Sequence, residues 1–169
     1  MKKSLSFFLL LCVAGCGGNA NKIPLPFKDS KWELRTGTHD KKAIQVRLNQ
    51  TLINFVGSLN YEATVSVTLK QPLPDGMPNE NESAALKKIG DRLVGKLDQT
   101  GLAVFAMEIQ SDKKCDLIFY TNKKGAVNRA FSEMGSRIDD YQVDYKIIRD
   151  QKWTNYKYFY SFVISKGWN

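Results

Sequence analysis

Alternating hydrophobic and polar residues predict the central strands of this chain. Over residues 61–70 every second side chain is apolar, which is typical of a strand with one buried and one solvated face. The same alternation predicts a strand over residues 141–149. Residues 102–110 and 115–121 predict two further strands, and the short polar stretch 111–114 between them predicts a hairpin.

A second hairpin is predicted near the amino end. Strands over residues 32–35 and 43–48 flank a polar turn at residues 36–40, and the second of them alternates apolar with polar side chains. His39, the single histidine of the chain, falls in this turn. Because no second His, Cys or paired carboxylate lies at metal-ligand spacing from it, we interpret His39 as a solvated turn residue and expect no metal site.

Two segments repeat apolar residues every three or four positions and predict amphipathic helices. The first opens at Asn79 with Glu82 three residues later, the pattern of a capping box, and ends near Gly101. The second covers about residues 125–137. Before the first helix, residues 72–78 contain three prolines, and the pattern leaves both a lid and a stiff connector open. The apolar stripes are Leu86, Ile89, Leu93 and Leu97 in the first helix and Val127, Phe131, Met134 and Ile138 in the second.

The order of these elements is strand, helix, strand, strand, helix, strand. This is the split βαβ pattern, so we predict an α+β domain with a ferredoxin-like βαββαβ antiparallel sheet and two helices on one face. The N-terminal β-hairpin and an aromatic C-terminal extension are additions to that core. Because both helices lie on one side, the other sheet face is either solvated, covered by these additions or available to a partner.

The C-terminal extension carries the densest aromatic cluster of the chain, interleaved with lysines. Trp153, Tyr156, Tyr158 and Tyr160 are the candidate binding surface, because tyrosine and tryptophan provide large contact areas at low entropic cost. Burial of these rings over the sheet is the favoured alternative, because large aromatic side chains are mostly buried. Tyr156, Tyr158 and Tyr160 share a strand face, whereas Trp153, Tyr156 and Tyr160 share a helical stripe, and periodicity leaves both open.

The first eighteen residues resemble a bacterial lipoprotein signal peptide. Two lysines precede a short apolar run, and the small residues Ala14 and Gly15 stand directly before Cys16. As a helix the apolar run over residues 5–13 spans about 14 Å, less than half of the ~30 Å hydrocarbon core of a bilayer. It is therefore too short to cross a membrane, and a removable export signal is the better interpretation.

The resemblance implies cleavage before Cys16 and attachment of lipid to its sulfur, which anchors the mature chain to a membrane. We accordingly divide the chain into a lipoprotein signal peptide over residues 1–15, a flexible tether over residues 16–30 and a single ferredoxin-like domain over residues 31–169. The predicted location is extracytoplasmic. In a Gram-negative cell, Gly17 stands where an inner-membrane retention signal would place Asp, which favours the outer membrane facing the periplasm.

Charge and cysteine content limit the functions further. The 169 residues carry a net charge of +8, which falls to +6 because residues 1–15 remove only Lys2 and Lys3. A basic chain suggests nucleic acid, but the extracytoplasmic location excludes that partner, and solvated lysines, anionic headgroups or an acidic partner fit better. Cys115 is the only thiol left free after lipidation, and we expect it to be buried rather than nucleophilic.

No phosphate loop, nucleophile elbow or cofactor motif occurs in the sequence. Glu108 and Asp116 lie on neighbouring predicted strands and are the candidate pair for a carboxylate-based hydrolase, although solvent-facing positions explain them equally simply. We therefore predict no catalytic residues, no cofactor and no enzymatic activity. The alternatives are a carboxylate-based envelope hydrolase and a glycan-binding module that uses the C-terminal aromatic residues.

Three segments, residues 73–78, 117–121 and 149–156, resemble a widespread bacterial domain family of unknown function. In its second half that family is similar to the regulator of ribonuclease E activity B, a ferredoxin-like protein inhibitor. The resemblance covers about residues 31–163, implies the fold and supplies no catalytic residues.

Ribonuclease E is cytoplasmic, so the inhibitor's target does not transfer to an exported chain. The predicted function is non-catalytic binding of a protein partner in the cell envelope, of which an inhibitor or immunity-type role is one version. The oligomeric state is left open by the sequence.

Overall fold

The computed structural model describes residue 24 and residues 30–165. In that part of the chain it contains seven strands and three α-helices. The strands are β1 (Trp32–His39), β2 (Lys42–Asn49), β3 (Tyr61–Thr68), β4 (Val104–Ser111), β5 (Lys114–Thr121), β6 (Arg137–Ile138) and β7 (Tyr141–Arg149). The helices are α1 (Glu80–Leu97), α2 (Lys124–Met134) and α3 (Thr154–Ile164), and a short 3₁₀ helix (Gln50–Phe55) follows β2. The predicted α+β class is confirmed.

The seven strands form one antiparallel sheet in the order β1-β2-β4-β5-β3-β7-β6. The amino-terminal pair β1 and β2 therefore continues the sheet beyond β4 instead of lying over one of its faces. The predicted turn at residues 36–40 is wrong, because β1 runs to His39 and only Asp40 and Lys41 form the turn. Both turn residues have positive φ, as a two-residue type I′ turn requires.

Helices α1 and α2 pack on one face of the sheet, which we call the α1 face. The Asn79 side chain accepts a hydrogen bond from the Glu82 amide at 2.9 Å, which confirms the predicted N-cap. The Glu82 carboxylate does not complete a capping box. Instead, its Oε1 accepts from the Lys70 and Gln71 amides and ties α1 to the chain that leaves β3. The core on this face includes Val65, Val67, Leu86, Ile89, Leu93, Leu117, Phe119, Val127 and Phe131.

Both helices end earlier than predicted. Helix α1 stops at Leu97 rather than near Gly101, and α2 stops at Met134. Gly135 follows α2 with a φ of +70°, a left-handed conformation that glycine adopts without strain and that ends the helix. Ile138 was expected on the stripe of α2 but is a buried residue of β6. It contributes to the same core, because the chain turns back at Gly135.

The opposite face of the sheet, the α3 face, has its own core. Helix α3 and the 3₁₀ helix cover β2, β4 and β5, so of the three possibilities for the second face, cover by the C-terminal extension holds over these strands. The β3 and β7 part of this face keeps solvated polar side chains, including Asp144 and Lys146. The buried cluster contains Val46, Leu48, Leu52, Met107, Ile118, Tyr120, Trp153, Tyr156, Phe162 and Val163.

The proline-rich loop before α1 docks on the β4–β5 turn. The Lys113 amide donates to the Gly76 carbonyl at 2.9 Å. Gly76 has a φ of +84°, and a side chain on it would lie only 3.3 Å from the Asp112 backbone. These contacts require glycine at position 76 and fix the loop to the sheet, which favours a connector over a lid.

Candidate functional site

The outer strand β1 presents an open backbone edge. The Lys31 carbonyl accepts a hydrogen bond from the Gln50 amide at 2.8 Å, so the backbone of Lys31 faces the β2 side. Because backbone groups alternate along an antiparallel strand, the N–H and C=O groups of Trp32, Leu34 and Thr36 point the other way. No strand within residues 30–165 pairs on that side of β1. Such an edge is a template for an additional strand.

Exposed apolar side chains lie beside this edge on both faces of the sheet. Leu34 projects from β1 on the α1 face and is 53% exposed, whereas Tyr158 and Ile164 of α3 are 42% and 44% exposed. Two contacts hold α3 against β1 on the other face. Arg35 Nε donates to the Val163 carbonyl at 3.1 Å, and His39 Nε2 lies 2.7 Å from the Tyr158 hydroxyl oxygen. We call the outer edge of β1, together with Leu34, Tyr158 and Ile164, the β1 fringe.

His39 is not the solvated turn residue that the sequence indicated. It is the last residue of β1 and pairs with Lys42 of β2. Its ring meets the Tyr158 ring edge-on, with centroids 5.9 Å apart. His39 therefore helps to position α3. Within the described residues no group of three or more His, Cys, Asp or Glu side chains has the geometry to hold a metal ion.

The aromatic segment forms helix α3, and two of the four predicted surface residues are its buried anchors. Trp153 stacks on Tyr120 with ring centroids 3.9 Å apart, and its indole N–H donates to the Leu59 carbonyl at 2.7 Å. The Tyr156 hydroxyl donates to the Asn49 carbonyl at 2.7 Å. Trp153 and Tyr156 have no exposed surface, so they do not belong to a binding surface.

The remaining two aromatic candidates lie farther out. Tyr160 is half-buried and Tyr158 is exposed, so only these two reach the molecular surface. A glycan platform needs two exposed, coplanar rings. The ring of Phe159, beside Tyr158 on α3, is tilted by 86° from it and is half-buried. Tyr158 and Phe159 therefore do not form a coplanar pair for stacking on a sugar.

A groove of about 360 Å³ runs between α1 and strands β2 and β4 on the α1 face. Its floor is the ion pair of Arg47 and Glu108, in which Arg47 Nη2 lies 2.9 Å from Glu108 Oε2. The Arg47 guanidinium also lies over the Trp32 ring, 4.7 Å from its centroid. On the helix side, Lys87 and Asp91 form an exposed pair at 2.7 Å. The charged side chains that line this groove thus largely compensate one another.

The two candidate hydrolase carboxylates lie on opposite faces of the sheet. Glu108 of β4 pairs with Leu117, and Asp116 pairs with Ile109, the next residue along β4. Because neighbouring residues of a strand point to opposite faces, Glu108 faces α1, whereas Asp116 faces the α3 side. The pair does not converge on a shared proton or water, and this form of the hydrolase hypothesis is wrong.

Cys115 is buried, as the sequence predicted. Its Sγ lies 3.9 Å from Glu108 Oε1. Burial, with the neighbouring carboxylates of Glu108 and Asp116, raises the pKa of the thiol well above its ordinary value. The sulfur is therefore held as a neutral thiol, which is a poor nucleophile.

A buried carboxylate network at one end of the sheet escaped the sequence analysis. The Tyr120 hydroxyl lies 3.2 Å from Glu62 Oε2 and 3.1 Å from Asp150 Oδ2. Burial raises the pKa of Glu62, hydrogen bonds from Asn155, Thr64 and Tyr120 oppose this shift, and the charge of Asp150 adds to it. Glu62 occupies a polar position of the strand alternation, so only the placement of α3 reveals that it is buried.

The proposed lipid site, Cys16, lies outside the described residues, as does the signal segment around it. Among the described residues, no helix combines the length and hydrophobicity needed to span a bilayer.

A family model described as "Family of unknown function (DUF695)" matches residues 30–161. No curated protein and no solved structure matches the chain. The matched range includes all of β1 and the first eight residues of α3, and therefore Leu34 and Tyr158 of the β1 fringe.

Proposed function

We propose that this chain, which belongs to the DUF695 family of unknown function, is a binding protein that engages a protein partner along the β1 fringe. One observation carries the proposal, namely that an open strand edge and exposed apolar side chains coincide there. An added strand would gain main-chain hydrogen bonds from β1 and apolar contacts from the residues beside it.

Natural sheets usually protect their edges with charges, prolines or bulges. Strand β1 carries the charged residues Glu33 and Arg35, but between them it exposes Leu34, and α3 places Tyr158 beside its far end. Exposed apolar side chains on both faces of an unpaired strand would be covered by a strand that adds to the edge. The β3 and β7 part of the sheet exposes Ile148 at 38%, less than Leu34 at 53%, so the greater apolar exposure beside β1 supports binding there.

We further propose that the partner is met at a membrane in the cell envelope. Lipid on Cys16, together with cleavage of residues 1–15, would hold the mature chain at the bilayer surface. Residues 16–30, as a flexible coil, would place the domain about 20 Å from the anchor. In a Gram-negative cell we propose the outer membrane, facing the periplasm.

We propose a ferredoxin-like core within this sheet. The order β4-β5-β3-β7, with α1 and α2 on one face, supports it. The resemblance to the regulator of ribonuclease E activity B, a protein inhibitor, makes an inhibitor or immunity-type role one specific version of the binding function.

A photocrosslinking amino acid at position 34 tests the proposal in native membranes. The full chain is expressed in its own host, irradiated and analysed by mass spectrometry. We expect a covalent protein adduct at position 34. The matched control is position 73, where Leu73 is another exposed leucine, 45% accessible, but lies in the loop before α1.

Position 73 should give no adduct under the same irradiation. Equal adducts at both positions would indicate nonspecific proximity and would contradict a binding role for β1. The complete absence of adducts at position 34, with the protein correctly located, would contradict it as well.

A further inference from the structure

We propose that the strand bound at the β1 fringe is β1 of a second copy of this chain, so that two sheets join into one across a two-fold axis. This inference rests on the proposed function, since it names the partner of the same edge. It follows from the backbone directions, charges and exposed leucine of β1, which are jointly self-complementary in the register centred on Leu34.

The two-fold axis restricts the possible registers. In an antiparallel pair of strands, residues directly opposite each other point to the same face of the sheet. When the two strands are identical, this requires that one residue lies directly opposite its own copy, with the two-fold axis between them. The outward backbone groups of β1 belong to Trp32, Leu34 and Thr36. An axis through Leu34 therefore lets Leu34 exchange both N–H···O bonds with its copy, and Trp32 exchange them with the copy of Thr36.

This register also pairs opposite charges. Glu33 faces Arg35 of the second copy, and Arg35 faces the Glu33 there, on the same face of the joined sheet. These side chains are 37% and 43% exposed, and within one chain they are only weakly paired at 3.9 Å. Positions 33 and 35 form non-hydrogen-bonded pairs across the new edge, the kind in which side chains approach most closely.

Neighbouring registers lose at least one part of this complementarity. An axis through Trp32 would still pair Lys31 with Glu33, but it would place Leu34 opposite Ser30 instead of its own copy. An axis through Glu33 would oppose Glu33 to its own copy, and an axis through Arg35 would oppose two arginines. An axis through Thr36 would place Arg35 opposite Gly37 and leave the leucine opposite Thr38. The register centred on Leu34 thus combines attraction between charges with contact between two exposed leucines.

The same geometry suits two chains anchored in one membrane. Trp32 and its copy lie on either side of the axis, about 13 Å apart along the joined strands at ~3.3 Å per residue. Both tethers would therefore leave the dimer close together and reach the same bilayer. Confinement to a membrane raises the effective concentration of the copies and favours the pairing.

Charge reversal in the full mature chain tests the register. The variants are Glu33→Arg, Arg35→Glu and the double reversal, each purified in detergent and measured by analytical ultracentrifugation. We expect a wild-type dimer and an increase of the dimer Kd by about tenfold or more in each single variant, because like charges then face each other. The double reversal should return to within about threefold of wild type.

Mixing the two single variants gives the sharpest readout. An equimolar mixture should form heterodimers, because two positive side chains on one copy then face two negative ones on the other. Far-UV circular dichroism of each variant checks that it is folded, since Arg35→Glu also loses the contact with Val163.

A second variant does not depend on charge. Leu34→Cys should form an intermolecular disulfide, because its Cα would lie about 5.5 Å from its copy, within the range of disulfides. Thr38→Cys is the matched control, since position 38 would face position 30 of the second copy and should not crosslink.

The outcomes separate this inference from the proposed function. A monomer at all concentrations, together with an adduct to a different protein at position 34 in membranes, would overturn self-pairing and leave β1 as the binding edge. A monomer without any adduct would overturn both. A dimer that ignores the charge reversals and does not crosslink through Leu34→Cys would place the interface elsewhere and would also overturn the inference.

Discussion

At the scale of single residues, Trp153 fixes the start of α3 to the sheet. Its ring stacks on Tyr120, its N–H is bonded to the Leu59 carbonyl, and its backbone has a φ of +52°. A bulky residue rarely adopts this left-handed conformation, and here burial on all sides holds it in place. Of the aromatic residues that the sequence singled out, Trp153 is therefore a buried anchor, whereas Tyr158 is exposed and available for contact.

Truncation of Trp153 should destabilise the domain strongly. We expect Trp153→Ala to lower the free energy of unfolding by about 3–5 kcal/mol, because it removes a fully buried ring and its hydrogen bond. Urea unfolding followed by circular dichroism measures this change. The control is Tyr158→Ala, which should lower the free energy of unfolding by about 1 kcal/mol or less. Equal losses for the two variants would contradict the assignment of Trp153 as the anchor.

The buried carboxylate Glu62 should make stability depend on pH. Because its pKa is raised in the folded protein, the folded state binds this proton more tightly than the unfolded chain does. The stability that the Glu62 proton contributes is therefore lost as the pH rises from 4.5, the pKa of Glu62 in the unfolded chain, through its higher pKa in the folded protein. Glu62→Gln stays neutral and should raise the Tm at pH 7, with a smaller effect below pH 4.5.

Thermal melts of both proteins from pH 4 to pH 8 measure this difference. A Tm difference that stays constant across the whole range would show that the proton on Glu62 is not linked to folding, contrary to the expectation.

At the scale of elements, strands are predicted accurately where apolar and polar side chains alternate regularly, and poorly where they do not. Strand β7 was predicted at its observed bounds, because its side chains alternate regularly. The second half of β1 was missed, because residues 36–39 contain no large apolar side chain and β1 is an edge strand with little burial. Helix α3 stayed ambiguous because aromatic residues occupy both its buried and its outer positions.

Pairing between distant segments was the part that local patterns did not contain. The sequence predicted the β1–β2 and β4–β5 hairpins but gave no reason for β2 to pair with β4. That pairing makes β1 the sheet edge and so creates the candidate site. Likewise, Glu108 and Asp116 were placed on the correct strands, yet their faces depend on a register shift between Phe105 and Met107 in β4.

The N-cap of α1 gives a prediction at this scale. We expect Asn79→Ala to lower the free energy of unfolding by about 1 kcal/mol, because it removes the acceptor for the Glu82 amide and a bond to the Gln71 carbonyl. Asn81→Ala, at an exposed position two residues later, should change it by less than about 0.5 kcal/mol. Chemical denaturation distinguishes them, and a smaller effect at Asn79 than at Asn81 would contradict the capping role.

At the scale of the whole molecule, the residues that stabilise the fold and those proposed to bind a partner lie in different places. Two hydrophobic cores, one on each face of the sheet, fix the domain, and the β1 fringe lies at the outer edge of the sheet. In the sequence, the proposed anchor Cys16 lies 16 positions before Trp32, the first residue of β1. A membrane location and an edge that binds a strand are therefore compatible parts of one account.

The anchor itself is tested by intact mass spectrometry of the protein from its native membrane. We expect the mature wild-type chain to begin at a lipid-bearing Cys16, and Cys16→Ser to retain residues 1–15 without lipid. Cys12→Ser is the matched control and should be processed like wild type, because Cys12 leaves with the signal segment. A wild-type chain without lipid would contradict the anchor.

The central claim is that the outer edge of β1 is filled by a strand from a second copy, and residue-resolved amide exchange tests it most directly. In the mature protein we predict that the outward amides of Leu34 and Thr36 exchange freely when the protein is dilute and slowly when it is concentrated enough to dimerise. The amide of Val46, in the central part of β2, should stay protected in both states. Rapid exchange of Leu34 and Thr36 at every concentration, with Val46 still protected, would contradict the claim.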